Sequence, residues 1–160
     1  PCGYGLPSVV GAKIACPDTP VVGFSGDGAF GIAVTELTAI GRKEWPAITQ
    51  VVFRNYQWGA EKRNSTLWYA DNFVGTELDE QVSYAGIAKA CGLQGVVART
   101  MDELRAALAK AIDDQMNHGK TTLIEAMINQ ELGEPFRRDA MKKPVEVAGI
   151  SRADMRPQQV

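Results

Sequence analysis

The feature that most constrains this fold is an acid between two glycines, Gly26-Asp27-Gly28, placed between a predicted strand and a predicted helix. The apolar run 21–25 before it predicts a buried strand, and the segment 29–43 after it predicts a helix. A second apolar run, 48–54, predicts the next strand and leads directly into Asn55. The helix would carry the chain about 22 Å in one direction. The strand would return it by about 23 Å. We therefore expect Asp27 and Asn55 to meet at one edge of a parallel sheet.

Oxygen atoms from a carboxylate and an amide at this edge are ligands of the kind that Mg²⁺ prefers, and Mg²⁺ usually also keeps waters and substrate phosphates. The sequence thus predicts a site where a metal ion bridges Asp27 and Asn55 to a phosphorylated cofactor. Two alternatives exist. The glycines also match the dinucleotide fingerprint, a weak pattern when it stands alone, and Asp27 could simply cap a helix. Without a metal, however, a carboxylate facing a diphosphate costs about 4 kcal/mol per charge pair at 4 Å and an effective dielectric of 20. In addition, no acidic residue follows the second strand, whereas a dinucleotide site uses one there to hold a ribose. We therefore favour the metal-bridged interpretation.

The remaining periodicity predicts an open α/β fold, a parallel sheet flanked by helices and joined by right-handed crossovers. Further helices are expected at 6–15, 82–91 and 101–116, further strands at 95–98 and 121–128, and a loop with a short helix at 58–68. We expect 1–130 to form one domain and 131–160 to be an irregular tail.

Composition narrows the class of protein. The chain has 160 residues, 45% of them hydrophobic, and a net charge of -2, which gives no reason to expect nucleic acid as a partner. No apolar run approaches the roughly 18 residues of a membrane span. Three cysteines without a CxxC pair suit a reducing cytoplasm. The single histidine, His118, is expected to be a solvated residue at the end of a helix. With no second histidine, we expect no Ser-His-Asp or Cys-His set built from this chain alone. The start at Pro1 shows no signal peptide, and we expect the chain to be part of a longer one.

The segment GDGAF…FRNYQWG resembles the diphosphate-binding motif of thiamine diphosphate (ThDP) enzymes. The upstream segment CGYGLP is similar to the start of the same domain in the acetolactate synthase and pyruvate oxidase branch. Within that branch the chain most resembles the sulfoacetaldehyde acetyltransferase family. That resemblance covers essentially the whole chain, as the carboxyl-terminal part of a larger subunit. It is carried by CGYGLPSVVGAKIA, GDGAFGIAVTEL, VVFRNYQWGAEKRN, SYAGIAKACG and GKTTLIEAMINQELGEPFRRDAMKKP.

The resemblance implies roles for individual residues. Asp27 and Asn55 would bind Mg²⁺ through side-chain oxygens and Gln57 through its backbone carbonyl. Gly28 and Ala29, following Gly26, would offer amides to the diphosphate at a helix amino terminus.

Further residues would surround the rest of the cofactor. Gly59 would allow close backbone approach after the metal loop. Cys2 would lie against the thiamine, and Gly3 and Tyr4 would line its aminopyrimidine side. Alternatively, Cys2 is small core filler and Tyr4 a packing residue.

The resemblance also implies an activity: sulfoacetaldehyde and phosphate would yield acetyl phosphate and sulfite. ThDP supplies the difficult chemistry, and the glutamate that activates it would come from a separate amino-terminal domain, usually of a partner subunit. We therefore expect no catalytic residue in this chain, and active sites between the subunits of a homodimer or homotetramer. Both substrates are anions, so Arg137 and Arg138 are candidate substrate contacts. The alternatives are an acetolactate synthase-like enzyme, a 2-oxo acid decarboxylase and a noncatalytic assembly subunit.

Overall fold

The computed structural model describes residues 2–42 and 44–132. The chain divides into two compact units. The first comprises Pro1–Tyr56 and Asp79–Asn129, and the second comprises Gln57–Leu78 with, among the described residues, 130–132. The predicted tail lies almost wholly outside the described residues.

A four-stranded sheet forms the centre of the first unit. Its strands are β1 (Val22–Gly26), β2 (Thr49–Arg54), β3 (Gln94–Ala98) and β4 (Thr122–Met127). All neighbours are parallel, and the order is β1-β2-β4-β3. The central strands β2 and β4 are buried along nearly their whole length, as is typical of a parallel sheet covered on both faces. The predicted parallel sheet is confirmed.

Among the described residues, the first unit has five helices and the second unit has one. In chain order they are α1 (Gly5–Ala15), α2 (Asp27–Ile32), α3 (Glu36–Ile40), α4 (Gly59–Trp68, second unit), α5 (Tyr84–Ala90) and α6 (Met101–His118). Local sequence sets several of their ends. The hydroxyls of Ser83 and Thr100 cap the amino termini of α5 and α6, and Gly119 ends α6 with a φ of 61°.

Hydrophobic residues form one cluster on each face of the sheet. Neighbouring residues of a strand point to opposite faces, so Val52 and Leu123 join the cluster beneath α1, α2, α3 and α5. Val51 and Ile124 join the second cluster, which contains Ala111 of α6. The two layers of helices hold the ends of β1 and β2 in fixed positions.

The long helix predicted at 29–43 is wrong in detail, because α2 stops at Ile32 and α3 begins only at Glu36. Between them the amide of Ala33 donates to the carbonyl of Phe30 at 2.9 Å, a tighter three-residue spacing. The β-branched pair Val34-Thr35 lies at this break, where side-chain crowding disfavours a regular helix.

The second unit is built around α4, which replaces the loop and short helix predicted at 58–68. An antiparallel bridge joins Gln57 and Glu77, and the amide of Trp58 donates to the carbonyl of Thr76 at 2.7 Å. Lys62 of α4 forms an ion pair with Glu77. Within 2–42 and 44–132, none of the helices has the length and apolar character needed to cross a membrane.

Candidate functional site

The carboxyl ends of β1 and β2 define the candidate site. The parallel register pairs Gly26 with Phe53, so the chain leaves the sheet at the same level on both strands. On β1 the next residue is Asp27, the first residue of α2. On β2 the next residues are Arg54 and Asn55.

The Asp27 side chain lies at the centre of this edge and is buried, with 1% of its surface exposed. Its Oδ2 accepts hydrogen bonds from the amides of Asn55, at 3.1 Å, and Tyr56, at 2.7 Å. Its Oδ1 accepts one from the amide of Gly28 at 2.9 Å. The structure therefore brings Asp27 and Asn55 together, as the spacing predicted, through the backbone of Asn55.

Sequence reasoning assigned no role to Arg54, yet it contacts Asp27 directly. Its Nη1 donates to Asp27 Oδ2 at 3.1 Å, and both side chains are almost fully buried. Its Nη2 donates to the carbonyls of Asp79, at 2.6 Å, and Val82, at 3.0 Å. One side chain thus joins the end of β2 to the start of α2 and to the segment before α5.

A second buried carboxylate, Glu125 of β4, was also missed. Its Oε1 lies 3.5 Å from Arg54 Nε. Its Oε2 accepts hydrogen bonds from the Ser83 hydroxyl, at 2.9 Å, and the Ala85 amide, at 3.1 Å. A glutamate in the middle of a buried strand was the available signal, because such a group needs a charged or hydrogen-bonding partner. Arg54 thus lies between two buried carboxylates, those of Asp27 and Glu125.

Two tyrosines enclose the Arg54 guanidinium. Its central carbon lies 4.2 Å from the ring centre of Tyr56 and 5.0 Å from that of Tyr84. The Tyr84 hydroxyl donates to the backbone carbonyl of Asp27 at 3.1 Å. Burial raises the pKa of Tyr84, which keeps this hydroxyl protonated as a donor. Tyr56 has a φ of 59°, a left-handed conformation that is uncommon for a residue other than glycine.

The amino-terminal segment reaches the same edge. The amide of Gly3 donates to the carbonyl of Ala29 in α2 at 3.3 Å. Gly3 has a φ of 80°, and a Cβ there would lie 2.9 Å from Ile32 Cγ2, so the position requires glycine. Cys2 is exposed and Tyr4 is 66% exposed. Both the cofactor roles of these two residues and the alternatives, Cys2 as small core filler and Tyr4 as a packing residue, stay predictions.

The other predicted site residues are placed as follows. Gly59 begins α4 in the second unit. Gln57, in the same unit, is buried, and its side chain donates to the carbonyl of Gln130 at 2.8 Å. Its role as a metal ligand stays a prediction. Arg137 and Arg138 lie outside the described residues.

The donor set fits a magnesium ion bound to a diphosphate. Asp27 and Asn55, residues that carry the carboxylate and amide oxygens that Mg²⁺ prefers, lie together at one sheet edge through a hydrogen bond from the Asn55 backbone. A Cβ built on Gly26 would meet no atom within 4 Å, so there is open space beside the start of α2. The buried network around Arg54 comprises the carboxylates of Asp27 and Glu125 and one guanidinium, and a divalent cation would offset the negative excess of this network.

Comparison with known proteins shows what this chain is similar to. The chain is 86% identical over its whole length to a sulfoacetaldehyde acetyltransferase of Roseovarius nubinhibens, and spans 26% of that protein. It is 84% identical, over 99% of its length, to an enzyme of the same name from Rhodobacter capsulatus, and spans 27% of it. The chain thus covers about a quarter of these relatives.

A solved structure agrees on the fold. The benzoylformate decarboxylase of Polynucleobacter necessarius superposes with a TM-score of 0.67 at 26% identity, over 84% of this chain and 25% of that one. The family model described as the C-terminal TPP binding domain of thiamine pyrophosphate enzymes matches residues 1–126. The chain therefore belongs to the family of C-terminal TPP-binding domains of thiamine pyrophosphate enzymes.

Proposed function

We propose that this chain is the carboxyl-terminal, cofactor-binding part of a sulfoacetaldehyde acetyltransferase, an enzyme that converts sulfoacetaldehyde and phosphate into acetyl phosphate and sulfite. The observation that carries this proposal is the identity of 84% to 86%, over essentially the whole chain, to two proteins of that name. In this proposal residues 1–130 are the ThDP- and Mg²⁺-binding domain and 131–160 the tail of a larger subunit.

Asp27 and Asn55 would hold the Mg²⁺ ion, with the Gln57 carbonyl as the third protein ligand. The buried position of Asp27 and its hydrogen bonds to the backbone at 55–56 support this role, because they fix the carboxylate at the sheet edge. The ion would neutralise part of the diphosphate charge, which Asp27 alone would repel.

Other residues of this chain would bind and orient the cofactor. Gly28 and Ala29 lie in the first turn of α2, where backbone amides suit an anion. Gly3 lies against Ala29, which supports a place for Cys2, Gly3 and Tyr4 beside the thiamine rings. The exposure of Cys2 and Tyr4 leaves their side chains accessible to a ligand.

When bound, ThDP supplies a carbon nucleophile and electron sink for cleavage of the carbon–sulfur bond and transfer of the acetyl group. The residues of this chain bind it and set its position. The activating glutamate would come from another domain, so the proposed assembly is a homodimer or homotetramer with active sites between subunits. Arg137 and Arg138 stay candidate contacts for the sulfonate or phosphate. The three free cysteines support a cytoplasmic location.

The test uses the full-length protein with ThDP, Mg²⁺ and sulfoacetaldehyde. We expect sulfite release and acetyl phosphate formation, both dependent on phosphate. Acetolactate formed from pyruvate, or decarboxylation of a 2-oxo acid, in place of sulfite release would instead identify one of the other enzyme types. Failure to bind ThDP at all would indicate a noncatalytic subunit.

A matched pair of variants tests the metal site. Asn55→Ala removes a predicted Mg²⁺ ligand, and we expect loss of Mg²⁺-dependent ThDP binding. Asn117→Ala is the control, because Asn117 is exposed on α6 and bonds only Asp113 among the contacts described. Retained cofactor affinity in Asn55→Ala would contradict the assignment of the metal loop.

A further inference from the structure

We propose that Arg54 is a positioning residue for the metal ligand Asp27: its guanidinium is a fixed brace that orients the Asp27 carboxylate, and its loss weakens metal binding. The inference rests on the proposed function, since it assumes that Asp27 binds the metal. It concerns a residue that touches neither cofactor nor metal in this proposal and acts only through Asp27.

The first argument is that Arg54 is held by groups other than Asp27. Two backbone carbonyls, those of Asp79 and Val82, accept hydrogen bonds from its Nη2 at 2.6 Å and 3.0 Å. Glu125 lies on its Nε side at 3.5 Å. The side chain is 1% exposed and lies between two tyrosine rings. A guanidinium fixed in this way cannot swing aside like a surface counter-ion when a cation arrives.

The second argument is that one short segment of chain supplies three donors to Asp27 Oδ2. They are the side chain of Arg54 and the amides of Asn55 and Tyr56. The middle residue of that segment, Asn55, is itself the second proposed ligand. Asn55 is thus fixed to Asp27 by the segment that also carries Arg54. A change at Arg54 therefore affects the position of both proposed ligands.

These two arguments decide the sign of the effect. A mobile counter-ion would compete with the metal for Asp27, and its removal would tighten metal binding. A fixed brace orients the ligand, and its removal loosens the ligand and weakens binding. Loss of an outer hydrogen-bond partner of a metal ligand typically lowers metal affinity by about 10- to 100-fold. We expect a weakening of this size when Arg54 loses its guanidinium.

The experiment measures metal binding directly in the full-length protein. Mn²⁺ is titrated in the presence of saturating ThDP, and the paramagnetic resonance signal of free Mn²⁺ reports the bound fraction without any turnover. Competition with Mg²⁺ shows that the two ions share one site. The variants are Arg54→Met, which keeps most of the volume but removes the charge and donors, and Arg54→Lys, which keeps the charge without the planar fork.

Lys13→Met is the matched control. Lys13 is also a buried cation, at 4% exposure, and donates to the carbonyls of Pro17 and Thr19 at 2.8 Å and 2.9 Å. Its loss damages packing without touching Asp27. The inference predicts about 10- to 100-fold weaker Mn²⁺ binding in Arg54→Met, and unchanged binding in Lys13→Met.

Each other result overturns the inference. Equal or tighter binding in Arg54→Met would make Arg54 a bystander or a competitor, and equal weakening in Lys13→Met would make the effect one of general packing. If Arg54→Met does not fold, Arg54→Lys decides: weakening of about threefold or more supports the brace, since Lys lacks the fork, and unchanged binding refutes it. Absence of ThDP-dependent Mn²⁺ binding by the unmodified protein would refute the proposed function itself.

Discussion

Replacement of Asp27 by alanine should destabilise the protein even when no cofactor is present. The change leaves the Arg54 guanidinium buried without the carboxylate that lies 3.1 Å away, and removes the acceptor of the Asn55 and Tyr56 amides. Removing one partner of a buried ion pair costs about 3–5 kcal/mol. We expect a loss of that size in the free energy of opening of the first unit.

Hydrogen exchange of the β2 amides in the cofactor-free, full-length protein measures this loss, because exchange reports the free energy of opening segment by segment. A double-mutant cycle with Arg54→Met isolates the pair. The double variant contains no unpaired charge from this pair. Its loss of stability should therefore be smaller, by about 1–3 kcal/mol, than the sum of the losses in the two single variants.

Two results would refute this reasoning: an Asp27→Ala protein with unchanged β2 exchange, or losses that add to within about 0.5 kcal/mol. The prediction also affects how the metal site is tested. Lost cofactor binding in Asp27→Ala would combine a missing ligand with a disrupted ion pair. Asn55→Ala is the cleaner variant for the metal question, since Asn55 meets Asp27 through its backbone amide, which the substitution keeps.

Three further predictions concern the framework of the site. Gly95→Ala places a Cβ 2.0 Å from the carbonyl oxygen of Ala85, so β3 and α5 must move apart. We expect the protein to lose about 1–3 kcal/mol of stability. Thermal melting measures this loss, and an unchanged melting temperature would contradict the prediction. Ser83→Ala removes the cap of α5 and also the hydroxyl that donates to Glu125 Oε2. We expect a loss of stability of at least about 0.5–2 kcal/mol, the value typical of a lost cap, seen as faster exchange of the α5 amides. Unaltered exchange would show that neither contact stabilises α5. The hydrogen bond from Lys110 lowers the pKa of Asp114 below its ordinary value of 3.8. The charged Asp114 carboxylate therefore stabilises the fold fully at pH values above its ordinary pKa. This contribution is lost as the pH falls through the lowered pKa of the folded state. Melting temperatures between pH 6 and pH 3 should fall less in Asp114→Asn than in the unmodified protein, and parallel curves would contradict this.

The sheet was predictable because its strands obey a simple rule. A parallel strand covered on both faces is rich in apolar residues, and β2 and β4 each carry adjacent apolar residues at their centre, Val51-Val52-Phe53 and Leu123-Ile124. The meeting of Asp27 and Asn55 was predictable because both residues follow the carboxyl ends of two parallel strands, which here are neighbours. The break between α2 and α3 did not follow, because hydrophobic spacing hardly changes when a helix tightens for one turn.

The charged network of the site was less accessible to sequence reasoning. Arg54 lies at the end of the predicted strand 48–54, where a charged residue usually faces solvent. Its side chain is instead only 1% exposed. Its partners come from residues 27, 79, 82 and 125, and only the three-dimensional register brings these together. Glu125 carried a visible signal, an acid inside a buried strand, but the sequence did not show which cation it faces.

The left-handed backbone of Tyr56 has a consequence for substitutions around it. A strained conformation of this kind persists only where the surroundings hold it, and here the hydrogen bond from the Tyr56 amide to Asp27 and the contact of the Tyr56 ring with Arg54 do so. The bend after Asn55 thus depends on the same buried ion pair that joins Asp27 and Arg54. Loss of either ionic partner removes one of the two contacts that hold this bend.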